Sequence, residues 1–241
     1  MRMEQGPRGL SCKIKGFQYF VERRIFMLAK KMLFVPVVFF LVMVVGCATP
    51  VRDAVKIDTS VPVGKIEGGQ FTGIRYPFNV SAPPNWIVST TYPSFMLDFG
   101  YEKPGLEESE VFVYNPATQS NLQIDFVAAD RYSRFSQASM ETMTASAGGG
   151  AVSDTKEQAG TADITLGPTE RVSLKGVQYA AKSYVTFKLN GVKWQQGWIY
   201  AFTEPYQIFI LYMMSEKEGS NDLNHLKTIL DSFEVVSKQQ N

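Results

Sequence analysis

His225 is the only histidine in this 241-residue sequence, the one side-chain type whose unperturbed proton affinity lies close to neutral pH. A serine–histidine–acid mechanism would have to use it. No Gly-x-Ser-x-Gly elbow is present to supply the nucleophile. His225 falls instead at the flank of an apolar helical stripe, which suits a surface or boundary histidine better than a general base. Zinc needs several His or Cys ligands, and the only cysteines are Cys12 and Cys47. Glu107, Glu108 and Glu110 could bind a cation or serve a carboxylate-dependent hydrolase, but neighbouring acids in a polar turn are expected to be solvated. No Asp-rich calcium loop, Walker loop or dinucleotide fingerprint occurs. No catalytic residue, metal site or cofactor is therefore expected, and the chain reads as a non-enzyme. The aromatic set Trp194, Trp198, Tyr200, Tyr206 and Tyr212 has two readings. It can pack a core and pair strands. Alternatively Trp194, Trp198, Tyr200 and Tyr206 can line an apolar surface for a lipid, a glycan or a partner protein.

The remaining reactive group is the Cys47 thiol. It ends the sequence Val44-Val45-Gly46-Cys47, which follows Lys30, Lys31 and an apolar run over residues 32–45. Fourteen residues make a helix of about 21 Å, short of the roughly 30 Å hydrocarbon core of a bilayer. Pro36 weakens a permanent span further. The pattern suits a cleaved signal peptide, and Val44 to Cys47 resemble the lipobox of bacterial lipoproteins. That resemblance implies signal-peptidase recognition through Val44, Val45 and Gly46. It also implies a diacylglyceryl group on the Cys47 sulfur and an anchor in the cell envelope. Ala48, not aspartate, follows the cysteine, which in a Gram-negative cell implies the outer membrane, facing the periplasm.

Residues 1–26 precede this signal awkwardly, and Met27-Leu28-Ala29-Lys30-Lys31 forms a compact start of its own. Residues 1–26 are accordingly read as a mis-called extension, with a long n-region as the alternative, and residues 27–46 as the signal peptide. Processing changes the charge. The whole chain carries +1, whereas residues 47–241 hold 16 basic and 21 acidic residues, a net −5. A mildly acidic exported domain lacks the basic face that nucleic acid would require. With Cys47 lipidated the mature chain cannot form an internal disulfide, so its stability must come from packing.

The elements that would position these residues follow from pattern. Residues 47–70 contain Pro50, Pro62, Gly64, Gly68 and Gly69 without sustained periodicity, and read as a lipidated cysteine with a flexible tether. The domain is expected over 71–236, with a polar tail at 237–241. Short strands are expected at 76–80 and 86–88, flanking a Pro83-Pro84-Asn85 turn. Further strands are expected at 111–114 and 122–127. Residues 132–147 are helix-compatible, with Tyr132, Phe135 and Met143 on one face. Gly148-Gly149-Gly150 should stop that helix and open a mobile loop at 151–161. Asn190-Gly191 marks a type I′ hairpin, because both positions need positive φ. Trp194, Trp198, Tyr200 and Phe202 share a face of the next strand. Glu204-Pro205 turns the chain into an apolar strand at 207–213 that should be covered on both sides. An amphipathic helix over 221–233 carries the stripe Leu223, Leu226, Ile229, Leu230 and Phe233, with Ser220 or Asn221 as cap.

Four groups of residues, taken in order, resemble the Mog1/PsbP-like family, including its bacterial DcrB-like members. They are Tyr76-Pro77-Phe78 with Pro84-Asn85-Trp86, Leu174-Lys175-Gly176, the aromatic hairpin at Asn190-Gly191, and Ile229-Leu230-Asp231-Ser232-Phe233. The family usually has glycine where Asn85 stands. The resemblance implies an α+β fold, an antiparallel sheet flanked by helices (an α/β/α sandwich), used as an accessory or binding module. The function expected is that of a lipid-anchored envelope lipoprotein with a non-enzymatic accessory domain and an envelope protein partner. Carriage or sensing of a small apolar ligand on the aromatic meander is the alternative.

Overall fold

The computed structural model describes residues 51–53, 55–98, 109–217 and 219–236. The lipobox, residues 1–46, Glu107, Glu108 and the 237–241 tail lie outside them. The elements run β1 (Gly64–Glu67), β2 (Gln70–Gly73), β3 (Phe78–Ser81), β4 (Ile87–Ser89), α1 (Ser94–Asp98), β5 (Ser109–Tyr114) and β6 (Asn121–Ala128). There follow α2 (Gln137–Glu157), β7 (Thr161–Leu166), β8 (Glu170–Arg171), β9 (Tyr179–Leu189), β10 (Val192–Thr203), β11 (Tyr206–Ser215), α3 (Asp222–Ser232) and β12 (Glu234–Val235).

The large sheet is antiparallel in the order β4-β5-β6-β11-β10-β9-β7, with β8 also paired to β9. The β9–β10–β11 meander forms as its turn residues predict. Asn190 and Gly191 both adopt positive φ (50° and 82°), and Leu189 faces Val192 across the turn. Strand β11 is covered on both faces. Ile208, Ile210, Tyr212 and Met214 enter one core and Met213 the other, with Phe209 and Leu211 packed beside it. Tyr212 lies opposite Gly197, where any Cβ would meet the tyrosine ring.

Helix α2 covers one face of this sheet. The other face carries α3 and a second, smaller sheet in the order β1-β2-β3-β12. The fold is α+β, as expected, with a mixed layer on one side where the α/β/α sandwich placed helices alone. Strand β3 joins the small sheet and β4 the large one, so Pro83-Pro84-Asn85 links two sheets instead of closing a hairpin.

Two boundaries move. Helix α2 runs through Gly148-Gly149-Gly150 to Glu157, so the expected loop at 151–161 is largely helix. Each glycine costs about 1 kcal/mol against alanine in a helix, and packing on the large sheet offsets it. The helix also starts later than expected. The Ser136 hydroxyl accepts from the Ser139 amide and the Ser139 hydroxyl from the Ser136 amide, a reciprocal cap. Tyr132 is thereby left outside the helix and exposed.

The second change concerns the tether. Its described part is bound to the domain: β1 and β2 start the small sheet, and Ile57 and Val63 pack against its core. The Arg75 guanidinium donates to the Thr59 and Val61 carbonyls. Proline and glycine break the apolar pattern here, and hydrogen bonds to carbonyls, which leave no periodic signature, hold the segment instead.

Candidate functional site

Trp86, just before β4, and His225, on the first turns of α3, meet across the edge of the molecule. The indole N–H donates to His225 Nδ1 at 3.1 Å, and the rings lie edge to face, 5.7 Å between centroids. Nδ1 is thus the acceptor nitrogen and the ring hydrogen sits on Nε2. Asp222, one turn earlier, has Oδ1 3.8 Å from the same Nδ1. Asp222 is buried, 2% exposed, and accepts from the Ser120 hydroxyl at 2.6 Å and from Asn115 Nδ2 at 3.3 Å. The Ser120 oxygen in turn accepts from the Ser215 amide at 2.8 Å.

Serine, histidine and aspartate are therefore neighbours without forming a catalytic relay. Acyl transfer needs the serine hydrogen directed at the imidazole, whereas the Ser120 hydrogen is directed at Asp222. The network ties the start of α3 to the β5–β6 turn and to the end of β11. A depression of about 460 Å³ beside it is lined by polar residues including Ser215, Lys217, Asn221 and Asp222. Among the described residues no group of three or more His, Cys, Asp or Glu side chains is placed to hold a metal ion.

The aromatic set does not form one surface. Trp194, Trp198 and Tyr200 lie beneath α2, and the Trp198 indole donates to the Thr144 carbonyl of that helix at 3.0 Å. Tyr206 lies on the opposite face, edge-on to Tyr76 (5.7 Å) and Phe126 (6.0 Å). Tyr212 is on that face too, its hydroxyl accepting from Gln195. Burial pushes the Tyr200 and Tyr212 phenols up to about 12 and raises Tyr206 as well. Of the candidate surface, Trp194, Trp198 and Tyr200 are thus corrected to core, because α2 was not expected to extend over their face, whereas Tyr206 is only partly buried and packs on the opposite face. Glu110 lies in β5 with its backbone opposite Asp125, and its neighbours Glu107 and Glu108 lie outside the described residues.

No protein family and no curated protein matches the chain. Among solved structures it is similar to cyanobacterial PsbP (CyanoP) from Synechocystis sp. PCC 6803. That match has 11% identity over 73% of this chain and 100% of that one, with a TM-score of 0.45. A Bacteroides thetaiotaomicron VPI-5482 protein is 15% identical over 72% of this chain, with a TM-score of 0.40, and the match spans half of that protein. At these values no property of either protein transfers to this chain.

A second polar cluster, unforeseen from the sequence, lies at the other end of the meander. Arg52 Nε donates to Glu204 Oε2 at 2.9 Å, and Nη1 donates to the Asp130 carbonyl at 3.0 Å and to the Ser133 carbonyl. Its guanidinium lies over the rings of Phe135 (4.9 Å) and Phe202 (5.1 Å). The Arg52 backbone donates to Arg131 O at 3.1 Å, and Arg131 Nε returns a bond to Arg52 O at 2.9 Å. The Ser133 hydroxyl, the amides of Tyr132 and Ser133 and the Arg52 charge hold the Asp130 carboxyl below the usual range. Nothing in the tether's apolar pattern marks Arg52. The only sequence signal is an arginine isolated between a signal segment and a domain.

Proposed function

We propose that the chain is a lipid-anchored cell-envelope lipoprotein whose α+β domain, of Mog1/PsbP-like type, binds another envelope component and catalyses no reaction. The observation that carries the non-enzymatic part is the Trp86–His225 bond. It engages the chain's single histidine in holding α3 against the sheet edge, while Asp222 and Ser120 satisfy each other. The anchoring part rests on Val44 to Cys47 and the lysines before them. Among the described residues no helix is long and apolar enough to cross a membrane. Each buried CH₂ contributes about 0.8 kcal/mol, and two or three long chains together give stable anchoring where one would give only marginal binding.

Cys47→Ser is expected to stall processing or release the protein from the membrane fraction. Unchanged mobility and fractionation would refute the anchor. In-cell crosslinking of the tagged wild type, read by mass spectrometry, is expected to recover an envelope protein reproducibly. Recovery of lipid alone would refute the accessory role.

A further inference from the structure

We propose that the domain sits on the bilayer in one orientation, with the end that carries the Glu204-Pro205 turn and residues 131–134 against the lipid surface. The inference rests on lipidation of Cys47. Only five Cα-to-Cα steps separate Cys47 from Arg52, at most about 18 Å of fully extended chain. Arg52 is not free to drift from the domain. Three side-chain hydrogen bonds, two backbone-assisted bonds to Arg131 and two aromatic faces fix it beside Glu204, Asp130 and Ser133. The membrane attachment point is therefore confined to this end of the molecule, whatever path residues 47–50 take.

The opposite end cannot exchange places with it. Strand β10 has 12 residues and at about 3.3 Å per residue separates the Asn190-Gly191 turn from the Glu204-Pro205 turn by about 36 Å. Laying the Asn190-Gly191 end on the bilayer would lift Arg52 about twice as far from the surface as its tether reaches.

Side-chain exposure agrees independently. Tyr132 (63% exposed) and Val51 (59%) are the most exposed large apolar side chains among the described residues, and both flank the Arg52 clamp. Tyrosine suits the boundary between headgroups and acyl chains, with its ring in the apolar zone and its hydroxyl in the wet one. Charge does not supply the attraction, since Arg52, Arg131 and Arg134 are matched in the same stretches by Asp53, Asp130 and Glu204. Tether length and the two apolar side chains do.

The test uses the full lipidated protein in phosphatidylethanolamine–phosphatidylglycerol vesicles that carry a nitroxide at the headgroup. Asp53→Cys, which leaves both apolar side chains and the clamp intact, and Asn190→Cys, each labelled with a fluorophore, report the two ends, because the acylated mature chain has no other thiol. Quenching is expected to be several-fold greater at 53 than at 190. Equal quenching, or more at 190, would overturn the orientation. Arg52→Ala, or a Gly-Ser insertion of about twice the tether's length after Pro50, should bring the two signals together, and an unchanged difference in both would overturn the role of the clamp. Flotation separates the two levels of inference. A protein that fails to float with the vesicles refutes the anchor itself, whereas one that floats without the quenching difference refutes only the orientation. A label at 53 that escapes the quencher and crosslinks to a protein in cells would reassign this end to a protein partner.

Discussion

Helix α3 meets the large sheet with the apolar stripe Leu226, Ile229 and, just past its end, Phe233, whereas α2 meets the other face with Met140, Thr144 and Gly148. The two helices cover one sheet by opposite division of labour. Under α3 the helix brings its own bulk to a shared core. Under α2 the sheet supplies the aromatic volume through Trp194, Trp198, Tyr200 and Phe202, and the helix brings Met140, Met143 and Val152 among small side chains such as Ala147, Gly148 and Ala151 that let its backbone come close. Hydrogen bonds follow the same division. Thr144 accepts from the Trp198 indole through its carbonyl and donates to Ala181 O through its hydroxyl, and Gln137 donates to Ala180 O. Around α3 the buried polar anchor is instead the helix's own Asp222. Amphipathicity is thus a property of an interface, and one partner can carry the larger share of it.

The largest effect should come from removing the sheet's contribution to α2. Trp198→Ala deletes a fully packed indole and is expected to cost about 3–5 kcal/mol in chemical denaturation, the range of buried Trp and Phe truncations. If the division is right, amide exchange should rise in residues 137–157 well before 222–232. A uniform rise across both helices would mean that the two faces stand or fall together. Trp198→Phe keeps most of the apolar volume and removes the indole's bond to the Thr144 carbonyl, an oxygen the helix already engages, so it should cost only about 0.5–1.5 kcal/mol.

The complementary break is Asp222→Ala. It strips the acceptor from the Ser120 hydroxyl and from Asn115 Nδ2 in a buried setting, and is expected to cost about 2–3 kcal/mol. Exchange should now rise first in residues 222–232. Asp222→Asn retains one acceptor oxygen and should cost less. Equal loss in both variants would show that burial of the side chain, and not its bonds to Ser120 and Asn115, anchors α3.

This asymmetry also explains what could be read before folding. Helix α3 was legible because its stripe lies in its own sequence, although Leu223, counted in that stripe, is exposed at the helix start where the core ends. The meander was legible because Asn190-Gly191 encodes its turn locally and β11 carries apolar residues in both directions. Helix α2 was half legible, since three glycines contradict it and the aromatics that stabilise it lie some fifty residues away on β10. The same blindness turned Trp194, Trp198 and Tyr200 into candidates for a surface, because nothing near them in sequence announces the helix above. Strands β1 and β2 are four residues each with glycines beside them, too short for an alternation to register. The Arg52 clamp and the Asp222 network join groups 78 to 152 and 102 to 107 residues apart, and sequence spacing carries no trace of such pairs.

The finest test lies within the three glycines. Gly149 and Gly150 have open space where a Cβ would stand, so replacing either with alanine should stabilise the protein by about 0.5–1 kcal/mol through helix propensity alone. Gly148 is buried, and a Cβ there would lie 3.1 Å from Leu166 Cδ1 on β7. Leu166 sits on an edge strand and is 47% exposed, so it can yield, at the expense of its contact with the helix. Gly148→Ala should therefore gain less than Gly149→Ala, or lose, in a paired thermal melt. The expected upward shift for Gly149→Ala is about 1–4 °C for a domain of this size. If Gly148→Ala were the most stabilising of the three, close approach to β7 would not be what keeps the contact face of α2 small. The contrast with α3 would then come down to helix propensity and not to the fit between helix and sheet.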